Sequence, residues 1–136
     1  MNELEVYDAF VKELEEKYPE MYDNVYCGIS IDAGWHAIIH ALSANIYHHY
    51  KWKKKNNPEL EFPKVAQIKE KFGGLRFYVD GGDEATHGMI RMAEAWAART
   101  CEMCGAPGHS REGGWIKTLC DTHDAERKAR YAHNDD

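Results

Sequence analysis

Four residues constrain this chain more than any other feature. Cys101 and Cys104 stand two residues apart, and Cys120 and His123 repeat that gap further on, in CEMCGAPGHSREGGWIKTLCDTH. A tetrahedral zinc ion takes four soft or borderline ligands, and a Cys-x-x-Cys-Gly knuckle supplies two of them from one tight turn. Gly113-Gly114 then allows a second turn, WIKTL suits a short strand, and DAERKARYAH continues as a helix of good helix formers whose start carries the last two ligands. The pattern predicts a treble-clef-like module over 101–136 holding one structural zinc ion on Cys101, Cys104, Cys120 and His123. His109 is the alternative fourth ligand. With every position filled by protein, such an ion has no place for water or substrate, so the expected role is a staple and not a Lewis acid. The His-x-Glu and Pro-Cys-x-x-Cys pattern of zinc deaminases is missing from the sequence.

The remaining hundred or so residues can bury a core of their own, a size ordinary for one domain. Tyr7, Phe10, Val11, Leu14 and Tyr18 recur at helical spacing before Pro19, which predicts an amphipathic helix over about 2–18 with Asn2 and Glu5 as a capping box. Asp32 is the expected cap of a second helix, about 33–50, with Trp35, Ile38, Ile39, Leu42 and Ile46 inside. The stretch KWKKKNNPELEFP after it is expected to be a loop. A third helix is expected over about 84–99, with Met89, Ile90, Ala93, Trp96 and Ala97 on its core face. Lone Cys27 is expected to be a small buried apolar residue, and the final HNDD a loose tail.

Between the last two helices the period changes from helical to alternating. In KVAQIKEKFGGLRFYV, residues 64–79, two alternating runs flank Gly73-Gly74, as in a β-hairpin. If Ile68, Leu75, Phe77 and Val79 face inward, a period of two turns Gln67, Lys69, Lys71, Arg76 and Tyr78 outward together. The fold class expected is therefore α+β: helices packed on a small antiparallel hairpin sheet in 1–100, closed by the zinc module in 101–136.

Charge sharpens the interest of that outward face. The chain carries a net charge of −6, yet residues 48–78 hold eight bases against three acids. Lys69, Lys71 and Arg76 with the ring of Tyr78 would suit a phosphate-bearing ligand: the cations pair with phosphate and the ring offers a stacking surface. Gly73 and Gly74 would let such a ligand approach the backbone. Lysines 51–55 could extend the face. Against this stands a plain solvated strand whose lysines pair with Glu70 or with the acidic first helix. His36 and His40 lie four apart but lack the Glu of H-E-x-x-H, so they border an apolar stripe without forming a protease site. His48 and His49 suit a helix end that favours cations. The sequence contains neither GxSxG nor GxxxxGK[ST]. No active-site constellation emerges, and the expected class is a non-enzymatic binding protein.

As a set, the Gly34-Trp35 helix start, QIKEKFGGLRFYVDGG at 67–82 and CEMCGAPGHSREGGWIKTLC at 101–120 resemble a family of small uncharacterised proteins from phages and prophage regions, over roughly residues 30–124. That resemblance implies an accessory or counter-defence protein working in a bacterial cytoplasm. It carries no activity and no catalytic residue with it. The leading expectation is sequestration of an anionic nucleotide-type ligand by the hairpin face. The first alternative is an inhibitor or adaptor of a host protein, acting through the acidic helix and the aromatic residues Tyr47, Tyr50, Trp52 and Trp115. The second is RNA or DNA binding, which the net negative charge disfavours. No apolar run approaches the roughly 20 residues that span a bilayer, so no membrane partner is expected. Oligomeric state is left open.

Overall fold

The computed structural model describes residues 1–134. Helix α1 covers Glu3–Lys17, and Asn2 caps it by accepting the Glu5 N–H at 2.8 Å. A two-residue strand β1, Ile29–Ser30, leads to a 3-10 turn at Ala33–Trp35 and to helix α2, His36–Lys54. Strands β2 (Lys64–Lys71) and β3 (Gly74–Asp80) form the hairpin, and helix α3 follows at Glu84–Ala97. Short strands β4 (His109–Arg111) and β5 (Lys117–Leu119) precede helix α4, Asp121–Asn134. The fold is α+β, as the patterning requires, and among the described residues no helix is long and apolar enough to cross a membrane.

Several expectations change at the level of single elements. Asp32 makes no capping bond; a 3-10 turn intervenes, and α2 then runs on to Lys54, so Lys51, Lys53 and Lys54 are helical and not loop. Lysines are good helix formers and suit the negative end of the helix dipole, and no breaker occurs until Asn56-Asn57-Pro58. In α3 the buried stripe is Thr86, Ile90, Ala93 and Ala97, which leaves Trp96 beside the stripe and about half exposed. Cys27 is exposed, its backbone N–H donating to Ala66 at 3.0 Å beside β2. Tyr47 and Tyr50 are buried against Phe62, so only Trp52 and Trp115 of the four aromatics expected outside are there. Helix α4 reaches Asn134, where a loose tail was expected; Asp135 and Asp136 lie outside the described residues.

The main sheet has the order β1-β2-β3, with β1 parallel to β2 and β2 antiparallel to β3. Its inner face carries Val65, Ile68, Leu75 and Phe77 against Leu14, Trp35, Ile38, Ile39 and Ile46 from the helices, all buried. The register pairs Gln67 with Tyr78 and Lys69 with Arg76, after a bulge at Ala66 that realigns Val65 with the core. The turn is Phe72-Gly73 and not the glycine pair, since Gly74 already belongs to β3. Both turn residues have positive φ, 53° and 79°, as a type I′ hairpin turn requires. An aromatic side chain in that left-handed region costs about 1–2 kcal/mol relative to ordinary backbone.

Candidate metal centre and basic hairpin face

The sulfurs of Cys101, Cys104 and Cys120 and a ring nitrogen of His123 all lie within 4.8 Å of one another, a cluster able to hold a metal ion. Each comes from the element its spacing suggested. Cys101 and Cys104 sit in the turn after α3, Cys120 follows β5, and His123 occupies the first turn of α4. His123 turns Nδ1 toward the sulfurs, 3.6 Å from Cys101 and 3.2 Å from Cys120, while Nε2 points toward Glu126 at 3.9 Å. Cys104 and Cys120 stand 3.8 Å apart, too far for a disulfide, which needs about 2.05 Å. His109 is on β4, paired with Leu119, and is not part of the cluster.

The local electrostatics favour thiolate at the buried member. Burial opposes ionisation of Cys101, but backbone N–H groups of Cys120, Cys104 and Met103 outweigh it and lower the thiol to about 7. At Cys104 the Ala106 N–H favours thiolate, yet burial and the adjacent Cys101 and Cys120 sulfurs push that thiol up. Three sulfurs this close repel as anions, and a cation among them removes the conflict.

Sequence reasoning missed the side chains that seat this cluster. Glu102, between the two knuckle cysteines, is 1% exposed. Its carboxylate accepts the Thr118 N–H at 2.7 Å and faces the Lys117 ammonium at 3.4 Å. Burial, only partly offset by those two donors, pushes its carboxyl up. Its backbone completes the connection, donating to Thr118 and accepting the Gly34 N–H at 2.8 Å. Gly34 is indispensable to this docking: a Cβ there would stand 2.1 Å from the Cys101 carbonyl oxygen. Trp35, fully buried next to it, donates its indole N–H to the Thr100 carbonyl at 2.9 Å. The Gly-Trp pair that opens α2 is thus the seat of the metal knuckle. Arg111 clamps the other side, donating to the Leu119 carbonyl and to Asp121 at 2.8 Å. A glutamate in a Cys-x-x-Cys gap normally reads as exposed, so nothing in the sequence singles out Glu102.

The hairpin face assembles as its period required. Lys69 and Arg76 are cross-strand neighbours, with Gln67 and Tyr78 beside them and Lys71 opposite Gly74. Lys71 and Tyr78 are exposed; Lys69 and Arg76 are half-buried. Among the described residues, none of the three cations has an acidic partner within ion-pair distance. Glu70, the partner a solvated strand would have used, belongs to the opposite face and accepts the Gly73 N–H at 2.6 Å. Gly73 itself is buried, its Cα facing the backbone of Lys117 and Thr118, so the close approach it permits is to β5 and not to a ligand. Gly74 makes room for the Arg76 guanidinium, 3.1 Å from where its Cβ would be.

The lysines of α2 are separate from this face. Lys53 pairs with Asp83 at 2.8 Å, and Lys54 donates to the carbonyls of Pro58 and Leu60. Lys51, Lys54, Lys55 and Lys64 surround a cavity of about 620 Å³ at the start of β2, the end opposite Lys69 and Lys71. His49 also bonds Asp83, at 2.7 Å. His36 stacks on Phe10 with centroids 3.7 Å apart and His40 meets the same ring edge-on, so this pair joins α1 to α2.

Comparisons with models of protein families, with curated proteins and with solved structures find no match to this chain. The site must be read from its own geometry.

Proposed function

We propose that the chain is a zinc-stabilised, non-enzymatic binding protein whose hairpin face, Lys69, Lys71, Arg76 and Tyr78, takes an anionic nucleotide-type ligand. The observation that carries this reading is the row of cations without acidic partners in a chain of net charge −6. Among the described residues, Lys53 and Lys64 of the other lysine groups pair with Asp83 and Asp23, and Lys54 bonds the Leu60 carbonyl. On the hairpin face the only such bond is from Arg76 to the Leu75 carbonyl, at 3.3 Å. Guanidinium and ammonium groups on one rigid strand pair are a ready receptor for phosphate.

Zinc suits the cluster on chemistry and on size. Three thiolates and an imidazole are its preferred donors, and bond lengths of about 2.3 Å to sulfur and 2.0–2.1 Å to nitrogen imply edges of about 3.8 Å and 3.6 Å in a tetrahedron. The Cys104–Cys120 and Cys101–His123 separations are 3.8 Å and 3.6 Å, while Cys120–His123 is shorter, at 3.2 Å. The ion held by Cys101, Cys104, Cys120 and His123 would supply folding free energy and no open coordination position. In this reading the biological setting would be sequestration of a defence nucleotide in a bacterial cytoplasm, which follows only from the resemblance drawn from the 34–35, 67–82 and 101–120 sequence blocks.

Calorimetry with ATP, ADP and pyrophosphate tests the ligand class. Lys71→Gln with Arg76→Gln should weaken binding of these phosphates at least tenfold; undiminished affinity would reject the face as the site. A second reading, a protein-binding adaptor, is favoured by the apolar groove between α2 and α3, about 490 Å³, where Met92 and Trp96 are exposed beside Leu42 and Met89. Met92→Glu should abolish a protein partner's binding while leaving phosphate binding unchanged.

A further inference from the structure

Two aromatic rings stand exposed at the tips of the two hairpins, and neither belongs to the buried core. Phe72 is 71% exposed and Trp115 is 66% exposed. Phe72 occupies a turn position where Asn, Asp or Gly would be less strained, so the turn itself does not call for the ring. Among the described residues, no other aromatic ring stacks on either of them. Large apolar groups left outside a fold that could have used small ones point to recognition.

The two tips are nevertheless held firmly side by side. Thr118 donates its buried hydroxyl to the Gly73 carbonyl at 2.6 Å, which fixes the β2–β3 turn on β5. Arg127, buried on α4, donates to the Trp115 carbonyl and so fixes the β4–β5 loop from behind. Between them lies a cleft of about 310 Å³ lined by Glu70, Lys71, Phe72, Gly114, Trp115 and Ile116. Lys71 belongs both to this cleft and to the cationic face, with its ammonium 5.7 Å from the Phe72 ring centroid. Arg76, beside Gly74, and Lys69, beside Arg76, continue the positive charge away from the cleft.

We infer that the cleft between Phe72 and Trp115 is a base-stacking subsite, and that a nucleotide seated there lays its phosphates on Lys71, Arg76 and Lys69. This rests on the phosphate-binding reading above and gives it the chemical class of the ligand's other end: a planar aromatic base. Flat rings recognise flat rings without demanding a particular hydrogen-bond pattern. A cleft of this volume takes one base, and the chain's net negative charge opposes a long polyanion, so a free nucleotide fits better than a nucleic-acid strand.

The test compares ADP with pyrophosphate, which keeps the phosphates and lacks the base, by calorimetry on the full chain. ADP should bind at least tenfold more tightly than pyrophosphate. Phe72→Asn and Trp115→Ala should each cut ADP affinity about tenfold, within the range measured for stacking on one ring, and leave pyrophosphate affinity unchanged. Phe72→Asn suits the turn, so its melting temperature should equal or exceed the native one and a loss of binding cannot be blamed on unfolding. Equal affinity for ADP and pyrophosphate, or ADP binding indifferent to both substitutions, overturns the stacking subsite while the cationic face stands. Absence of binding by either probe overturns both. Affinity for oligothymidylate that exceeds that for ADP and climbs with strand length overturns the free-nucleotide assignment in favour of single-stranded DNA.

Discussion

The molecule contains two β-hairpins built on opposite economies. The β2–β3 hairpin has strands of eight and seven residues and an apolar face, Ile68, Leu75 and Phe77, buried against helices. The β4–β5 hairpin has three residues per strand and buries Thr118 and Leu119. What the second lacks in apolar area it replaces with the ligand cluster and with polar ties from Glu102, Arg111 and Arg127. A small module can be held in shape by a few strong, directional bonds where a core is too small to do it. The same contrast shows in the use of charge. The self-supporting hairpin has an outer face free to carry uncompensated charge, whereas the stapled one must spend its charged groups on itself.

Metal removal separates the two hairpins most sharply. Chelation, or Cys120→Ser, should unfold β4, β5 and α4, since a structural zinc ion contributes on the order of 10 kcal/mol to a module this small. Hydrogen exchange should show loss of protection over 101–134 while β2 and most of β3 stay protected; uniform loss across the chain would show that the two hairpins form one cooperative unit. Next in size, Trp35→Ala should cost about 3–5 kcal/mol by removing a fully buried ring and its bond to Thr100. Denaturant melts check this, with metal affinity measured alongside because the knuckle rests on the same residue. Gly34→Ala leaves the apolar core intact but drives a methyl into the Cys101 carbonyl, an overpacking cost of about 1–3 kcal/mol. It should weaken metal retention more than it lowers the stability of the β2–β3 half, and an equal effect on both would contradict the docking role.

The smallest effect concerns Asp83, which caps α3 at the end of the core-supported half. Burial works against its charge, but the Lys53 ammonium, the Thr86 N–H and His49 outweigh burial and hold the carboxyl well below the usual carboxylate range. A depressed folded value means that the unfolded chain binds the proton more readily. The stabilisation is therefore complete above the unfolded value, about 4, and is lost as pH falls below it. Asp83→Ala should cost about 1–2 kcal/mol at neutral pH, mostly from the lost cap since the ion pair is partly solvated. The variant's stability should also fall less between pH 5 and pH 2.5 than that of the native chain.

What could be read in the sequence follows the same division. Period and spacing exposed the hairpin face, because alternation alone decides which side Lys69, Lys71 and Arg76 share. Spacing also exposed the cluster, because two ligands per turn leave few other geometries. Contacts between distant segments were not legible. Ile29 pairing with Ile68, Glu102 reaching Gly34 and Thr118, and Thr118 reaching Gly73 are bonds whose partners carry no mark of one another. The end of α2 was misplaced because a lysine run looks the same in a solvated loop and at a helix terminus. Tyr47 and Tyr50 were misplaced because an amphipathic ring reads as surface until Phe62 covers it.

The seat of the knuckle has one more consequence, for the order in which the chain is made. Gly34, Trp35 and the Phe72-Gly73 turn all precede Cys101 in the chain, and they are the surfaces against which the cysteine module from Cys101 onward rests. Translation from the N-terminus therefore presents the cysteines to a template whose parts have already left the ribosome, and capture of the proposed ion follows the making of its seat.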